Sequence, residues 1–252
     1  MKHISITLFL ILNLLTAFGQ GMAGEQERLV YDFIECIKSQ NKEKLMAKIS
    51  FPFKRQYPIP PIKDKQAFLD RYHEVFDEKL TEIIANSRPS RDWSAVGLRG
   101  IMLLNGLVWL DYDGNLIAVN YQSHIEARKK DELINSEKSQ LHESIQNYQQ
   151  PACILESANY RIRIDDMGGG NYRYASWKSE SNMSEKPELI IQKGIYKADG
   201  NGGNHSYEFV NGEYIYECAI IVLGEGDSPS AYLLVYQQGK EILSQRATIV
   251  IR

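Results

Sequence analysis

The apolar residues of this chain follow two rhythms. Before Trp93 they recur every third or fourth position, as on helices; from Trp93 they alternate, and past Pro151 alternation is the dominant pattern. Gln26 to Ser39 places Leu29, Val30, Phe33, Cys36 and Ile37 on one face, which predicts an amphipathic helix. A short helical stretch from Lys42 to Ala47 follows and runs into the extended segment Ile49-Ser50-Phe51-Pro52-Phe53. Pro58, Pro60 and Pro61 exclude a helix there, because proline lacks the donor that a helix interior needs. Asp64 then serves as N-cap for a helix on which Phe68, Tyr72, Val75, Phe76, Leu80 and Ile83 recur until Asn86 and Pro89 end it.

The alternating region begins with a predicted β-meander. Leu98 to Leu104 reads as a strand, Asn105-Gly106 as a two-residue turn, and Leu107 to Tyr112 as the return strand. Asp113-Gly114 makes a second tight turn before Asn115 to Tyr121. Both dipeptides suit a type I′ turn, whose central residues need positive φ and whose twist matches the flanking strands. The stretch Ser123-His124-Ile125-Glu126 matches a capping box that opens a helix running to about Asn147. Its charge, including the i,i+4 pair Glu126 and Lys130, reads as a solvated face on a spacer with a narrow apolar stripe. Seven strand candidates follow: Ala158 to Ile164, Tyr172 to Trp177, Leu189 to Gln192, Tyr207 to Val210, Glu213 to Leu223, Tyr232 to Tyr236 and Ile242 to Ile251. With glycine-rich connections at Asn211-Gly212 and Gln238-Gly239-Lys240, they argue for a small all-β sandwich or barrel.

The predicted organisation is therefore an α+β module over residues 25–122, a helical connector over 123–149 and an all-β sandwich-like module over 150–252, a sandwich being preferred to a barrel. Ahead of them, Lys2 precedes fifteen mostly apolar residues from Ile4 to Phe18, with small residues placed for a cut after Gly19. A run of that length is short of the roughly 20 residues that span a bilayer and fits a signal peptide over residues 1–19. The expectation is a periplasmic or secreted bacterial protein with no membrane span in the mature chain. A net charge of −3 offers no electrostatic footprint for nucleic acid.

The order of helices, an Ile-x-Phe-Pro segment, another helix and a curved meander resembles the NTF2-like (cystatin-like roll) superfamily. Ile49-Ser50-Phe51-Pro52 and the stretch from Gly100 to Trp109 carry the resemblance, which covers residues 25–122. It implies helices packed on a curved antiparallel sheet around a conical pocket. Members include isomerases, dehydratases, partner-binding proteins and assembly modules, so the fold does not select an activity. Enzymes of that superfamily place an acid or histidine in the pocket, and His73, Tyr72, Asp111 and Asp113 are the candidates for such a role. Tyr72 and His73 are neighbours on a helix and diverge by about 100°, while Asp113 is accounted for by its turn. Segments of the third module, Tyr160 to Asp165, Tyr172 to Trp177 and Gly202 to His205, are similar to stretches in uncharacterised exported bacterial proteins. That resemblance implies export and a β-rich tail.

Remaining motifs are weaker. Asp165 to Asn171 lacks the strand-to-helix setting of a phosphate loop. Asp199 to Asn204 has too few carboxylates for a calcium loop, with Val210 where a twelfth-position acid would stand. His205 has no partner at metal-ligand spacing. Neither a metal nor a cofactor is expected, and no catalytic set is assigned. Of the three cysteines, Cys36 falls on the apolar helix face as a buried thiol, whereas Cys153 and Cys218 share the third module and are candidates for a disulfide that spacing alone does not decide. The alternation of Arg173 with Tyr172, Tyr174 and Trp177 reads either as cross-strand pairing or as an exposed stacking surface for a partner or sugar. The leading expectation is a non-enzymatic protein that binds a small ligand or a protein partner. The alternatives are an NTF2-like isomerase or hydrolase acting on a small molecule, and an inhibitor or immunity protein directed at an exported enzyme.

Overall fold

The computed structural model describes Met22, residues 24–200 and residues 203–251, with Ile251 described by its backbone. The candidate signal peptide and its cut after Gly19 lie outside the described residues, as do Asn201 and Gly202 of the glycine-rich loop. Contacts group the chain into two compact units, the first holding residues up to Phe53 and Lys63–Tyr121, the second Lys54–Ile62 and the chain from Gln122 onward.

The first unit is α+β. Helices α1 (Gly24–Lys38) and α2 (Lys42–Met46) are followed by α3 (Lys65–Asp70), α4 (Tyr72–Val75), α5 (Glu78–Asn86) and α6 (Pro89–Asp92). Asp64 caps α3 by accepting from the Ala67 amide at 2.9 Å. The single helix expected from Asp64 to Asn86 is broken, because Asp77 adopts an extended conformation and caps a new helix through the Leu80 amide at 2.8 Å. The restart shifts the helical phase, so that Ile84, not Ile83, is the buried residue. Four short strands, β1 (Trp93–Ala95), β2 (Ile101–Leu103), β3 (Val108–Leu110) and β4 (Leu116–Val119), pair antiparallel in sequence order.

The predicted meander is present, but its turns differ in detail. A 3-10 turn at Gly97–Arg99 replaces the first half of the expected strand, and Gly100, at φ 107°, sits where any Cβ would strike the Leu110 carbonyl. Leu103 pairs with Val108, so the Asn105-Gly106 connection has four residues, with positive φ at Leu104 and Gly106. The turn at Asp113-Gly114 is organised by Asp111, whose carboxylate accepts from the Asp113 and Asn115 amides at 2.9 and 2.8 Å.

The second unit is a closed eight-stranded antiparallel barrel with a helix against its outer wall. Helix α7 (His124–Gln140) precedes β5 (Gln150–Ser157), β6 (Tyr160–Gly168), β7 (Asn171–Lys178), β8 (Leu189–Asp199), β9 (Asn204–Asn211), β10 (Tyr214–Ile220), β11 (Ala231–Gln237) and β12 (Lys240–Ile251). Each strand pairs with the next, and β12 returns to β5 with Ala247 opposite Ser157 and Ile249 opposite Leu155. This up-and-down closure leaves no free sheet edge, so the preferred sandwich gives way to a barrel, with one strand more than the seven candidates. The extra strand is β5, where Pro151 reads as a terminator; the register shift between Pro151 and Cys153 accommodates it as a bulge.

With strict alternation, every second residue of each strand points inward. Ile162 and Ile164 of β6, Phe209 of β9, Cys218 and Ile220 of β10 and Leu233 of β11 are all buried in one interior cluster. The opposite parity of β6 and β7 puts Arg163, Asp165, Arg173, Ala175 and Trp177 on the outer wall, yet these too are buried, under α7 and the segment after it. The solvated-face expectation for the connector holds for Arg128, Asp131 and Glu132, which are exposed, but not for the face that docks. Helix α7 turns Glu126, Lys130 and Ile134 inward, and its charges are used to dock it. Arg55 donates to Glu126 at 2.7 Å with both side chains buried, and Lys130 donates to Gln150 at 2.7 Å, so Glu126 and Lys130 are not the exposed pair that their spacing suggests. The helix ends at Gln140, short of Asn147.

A tyrosine-lined cavity as candidate functional site

At the end of the barrel where β6, β8, β10 and β12 begin, the interior is not filled. A cavity of 360 Å³ opens there, walled by Tyr160, Tyr174, Tyr214 and Tyr216 and floored by Leu233 and Val235. That volume falls within the usual range for small-molecule pockets, roughly 300–1,000 Å³, and an eight-stranded barrel is wide enough to hold one small ligand.

Local sequence places each wall residue. In Tyr214-x-Tyr216-x-Cys218-x-Ile220 one parity faces the interior throughout, and burial deepens from the half-exposed Tyr214 to the fully enclosed Cys218. The hairpin that launches this strand pairs Asn211 with Tyr214, so its two central residues are Gly212, at φ 63°, and Glu213. Glycine in the first central position defines a type II′ turn, one residue along from the Asn-Gly turn read in the sequence. On the neighbouring wall, Tyr174 packs against Phe209 with ring centroids 5.4 Å apart and against Tyr216 at 5.7 Å. Burial raises the phenols of Tyr174 and Tyr216 above their ordinary value, and the neighbouring phenol of Tyr160 adds to both shifts. Both hydroxyls therefore stay protonated as neutral donors around neutrality. Glu188 stands at the rim, in an exposed ion pair with Lys178 at 3.8 Å.

The residues singled out in the sequence fall elsewhere. Tyr72 is buried, stacked on Phe76 at 5.3 Å, whereas His73 is exposed and approaches Lys42 at 3.4 Å. Asp111 is engaged by its turn, and Asp113 is exposed. The structure thus does not gather Tyr72, His73, Asp111 and Asp113 into one constellation. Phe68, Phe76, Ile101, Leu103, Val108 and Leu110 are buried in that unit, while Trp109 lies on the other face of the sheet with Arg99 5.5 Å from its ring centroid. Cys153 and Cys218 are both enclosed in the barrel interior, and Cys153 is among the groups that raise the Cys218 thiol after burial itself; no disulfide joins them, and Cys36 forms none either. The Arg–aromatic alternation of β7 is not an exposed stacking surface, since Arg173 and Trp177 are covered on the outside and Tyr174 lies within. Among the described residues no group of three histidine, cysteine or acidic side chains is arranged to hold a metal ion, and no helix is long and apolar enough to cross a membrane.

Sequence reading missed the cavity because half-burial and enclosure look alike in an alternating strand. The available signal was parity: Tyr214 and Tyr216 share theirs with Cys218 and Ile220, which marks them as inward-facing once the sheet closes. No family model, curated protein or solved structure matches this chain.

Proposed function

We propose that this protein is an exported, non-enzymatic binding protein that takes a small, largely apolar molecule into the mouth of its barrel. The observation that carries the reading is the tyrosine-walled cavity of 360 Å³ at one end of the barrel, above the interior cluster that holds Leu233 and Val235. Ligand sites occur preferentially in the mouths of β-barrels, and this pocket is an open one of that kind. The lining has the composition of a ligand site, mostly apolar and aromatic surface with a few convergent polar groups. Export rests on the apolar run from Ile4 to Phe18 and the small residues before Gln20. The NTF2-like reading of the first unit rests on its order of helices, Ile-x-Phe-Pro segment and antiparallel meander. It contributes no site to the proposal, because Asp111 is engaged by its own turn while His73 and Asp113 are exposed.

The test is binding of the uncharged dye Nile red, whose fluorescence rises in an apolar site. Val235→Trp fills the floor of the cavity and is expected to abolish the signal while keeping the circular dichroism spectrum of the folded barrel, at a cost of about 1–3 kcal/mol in stability because Val235 is buried. Tyr216→Ala, which widens the mouth, is expected to weaken binding without abolishing it. Equal dye binding by wild type and by a folded Val235→Trp variant would show that the dye sits elsewhere and would overturn the reading.

A further inference from the structure

The cavity walls carry more information than size. Four tyrosine rings surround it, and among the described residues lining it Glu188 is the one with a formal charge; no lysine or arginine is part of the wall. An aromatic face is the negative end of a ring quadrupole, and a cation held over several such faces away from water is attracted to all of them together. A carboxylate anion entering the same space would meet these faces and the Glu188 carboxylate without a positive partner.

We propose that the ligand is an organic cation, a substituted ammonium group carried on an apolar body, with the ammonium held among Tyr160, Tyr174, Tyr214 and Tyr216 and the apolar portion against Leu233 and Val235. The inference rests on the binding reading above and adds the charge of the ligand to it. Geometry supports the division of labour. Tyr174 and Tyr216 meet at 5.7 Å with planes inclined by 47°, so the two rings are tilted and not stacked face to face, and both line the cavity. The deeper surface, where Leu233 is buried beside Cys218, is apolar and suits a hydrocarbon. Lys178 does not compete for the cage, because its pairing with Glu188 is at 3.8 Å and the two side chains are 75% and 53% exposed. Exposed pairs of that kind contribute little, which leaves the carboxylate free to face an incoming cation. The phenols add hydroxyls that donate to water or to a polar substituent of the ligand, whereas the ammonium carbons need only the ring faces.

The experiment compares three displacers of Nile red from the full chain: benzyltrimethylammonium, its uncharged carbon isostere 2,2-dimethyl-1-phenylpropane, and phenylacetate. The cation is expected to displace the dye at a concentration about tenfold lower than the isostere, and phenylacetate is expected to be the weakest of the three. Tyr216→Leu should remove most of that preference while leaving the isostere's affinity nearly unchanged, and Tyr216→Phe, which keeps the ring and drops the hydroxyl, should retain it. Glu188→Gln should weaken the cation about two- to threefold without affecting the isostere. Equal or better displacement by the isostere overturns the inference about charge while the cavity remains a binding site. Failure of Nile red itself to bind the wild-type protein overturns the binding reading and this inference with it.

Discussion

Asp165 gives the sharpest test of how helix α7 is held to the barrel. Its carboxylate is fully buried and accepts from Arg163 Nε at 2.8 Å and from Arg173 Nη2 at 2.6 Å. Arg163 also pairs with Glu137 of α7, and Arg173 donates to the Ile145 and Asn147 carbonyls at 2.6 and 2.9 Å. The two arginines, Asp165 and Glu137 thus balance their charges beneath the helix, and the Tyr148 ring lies 4.8 Å from the Arg163 guanidinium. Asp165→Ala leaves one buried positive charge without a counterion and two guanidinium donors unmet. Breaking one side of a buried ion pair costs about 3–5 kcal/mol, so the barrel should lose that much stability. Replacing all four groups together, as Glu137→Leu, Arg163→Met, Asp165→Leu and Arg173→Met, should recover part of the loss, because an apolar set of similar volume has no desolvation penalty to offset and strands no carboxylate, while the Ile145 and Asn147 carbonyls still lose their donor. The readout is urea unfolding followed by Trp177 fluorescence in a Trp93→Phe, Trp109→Phe background, since Trp177 is the tryptophan of the second unit and packs on the same outer wall. A loss below about 1 kcal/mol for Asp165→Ala would refute the reasoning, because only a solvated cluster tolerates the change so cheaply.

Three further outcomes follow from the same packing. Gly194→Ala would drive a methyl group into the Phe209 ring inside the barrel; a cost of about 1–3 kcal/mol is expected, relieved by Phe209→Leu in the same chain, and a neutral single variant would show that the ring has room to move. Burial holds the Tyr148 phenol up at about 12 and raises those of Tyr174 and Tyr216. A group whose folded value is raised lends stability that is complete below its unfolded value near 10 and disappears as pH climbs through the folded one. Phenolate absorbance of the native protein should therefore lag that of the denatured chain, with unfolding setting in above pH ~10, and superimposable titrations would contradict the burial. All three cysteines should react with a thiol reagent in denaturant without reductant and resist it in the native state, as buried free thiols; a count of one in denaturant would instead mean that Cys153 and Cys218 are joined across the interior.

Much of the architecture is legible in the pattern of residues, and its failures have identifiable causes. Alternation located seven of the barrel strands, because each has one face in the interior. Pro151 concealed β5, since proline is compatible with a strand at a bulge but is read as a stop when the bulge is not known. Asp77 concealed a break between helices: a capping aspartate inside a helical pattern is indistinguishable by type from an exposed one. The docked face of the connector was misread for a similar reason. Glu126, Lys130 and Glu137 have the spacing of a helical face, and charge was taken to mean water, whereas Arg55, Gln150 and Arg163 supply partners that lie far away in sequence. The tyrosines of the cavity were visible as a β-rich feature, but their convergence depends on closure between β12 and β5, which no local pattern encodes.

Closure has a kinetic meaning as well. Seven of the eight seams join strands adjacent along the chain, so each can zip as soon as its hairpin forms; the eighth, between Ala247–Ile251 and Ile154–Ser157, must wait for ends separated by the whole barrel to meet. Until then β5 and β12 each present a row of unpaired amides and carbonyls, a template on which a second copy of the chain can dock. Aggregation during folding should accordingly be governed by the lifetime of this open ribbon, with shortening of β12 prolonging it and dilution giving the two ends time to find each other.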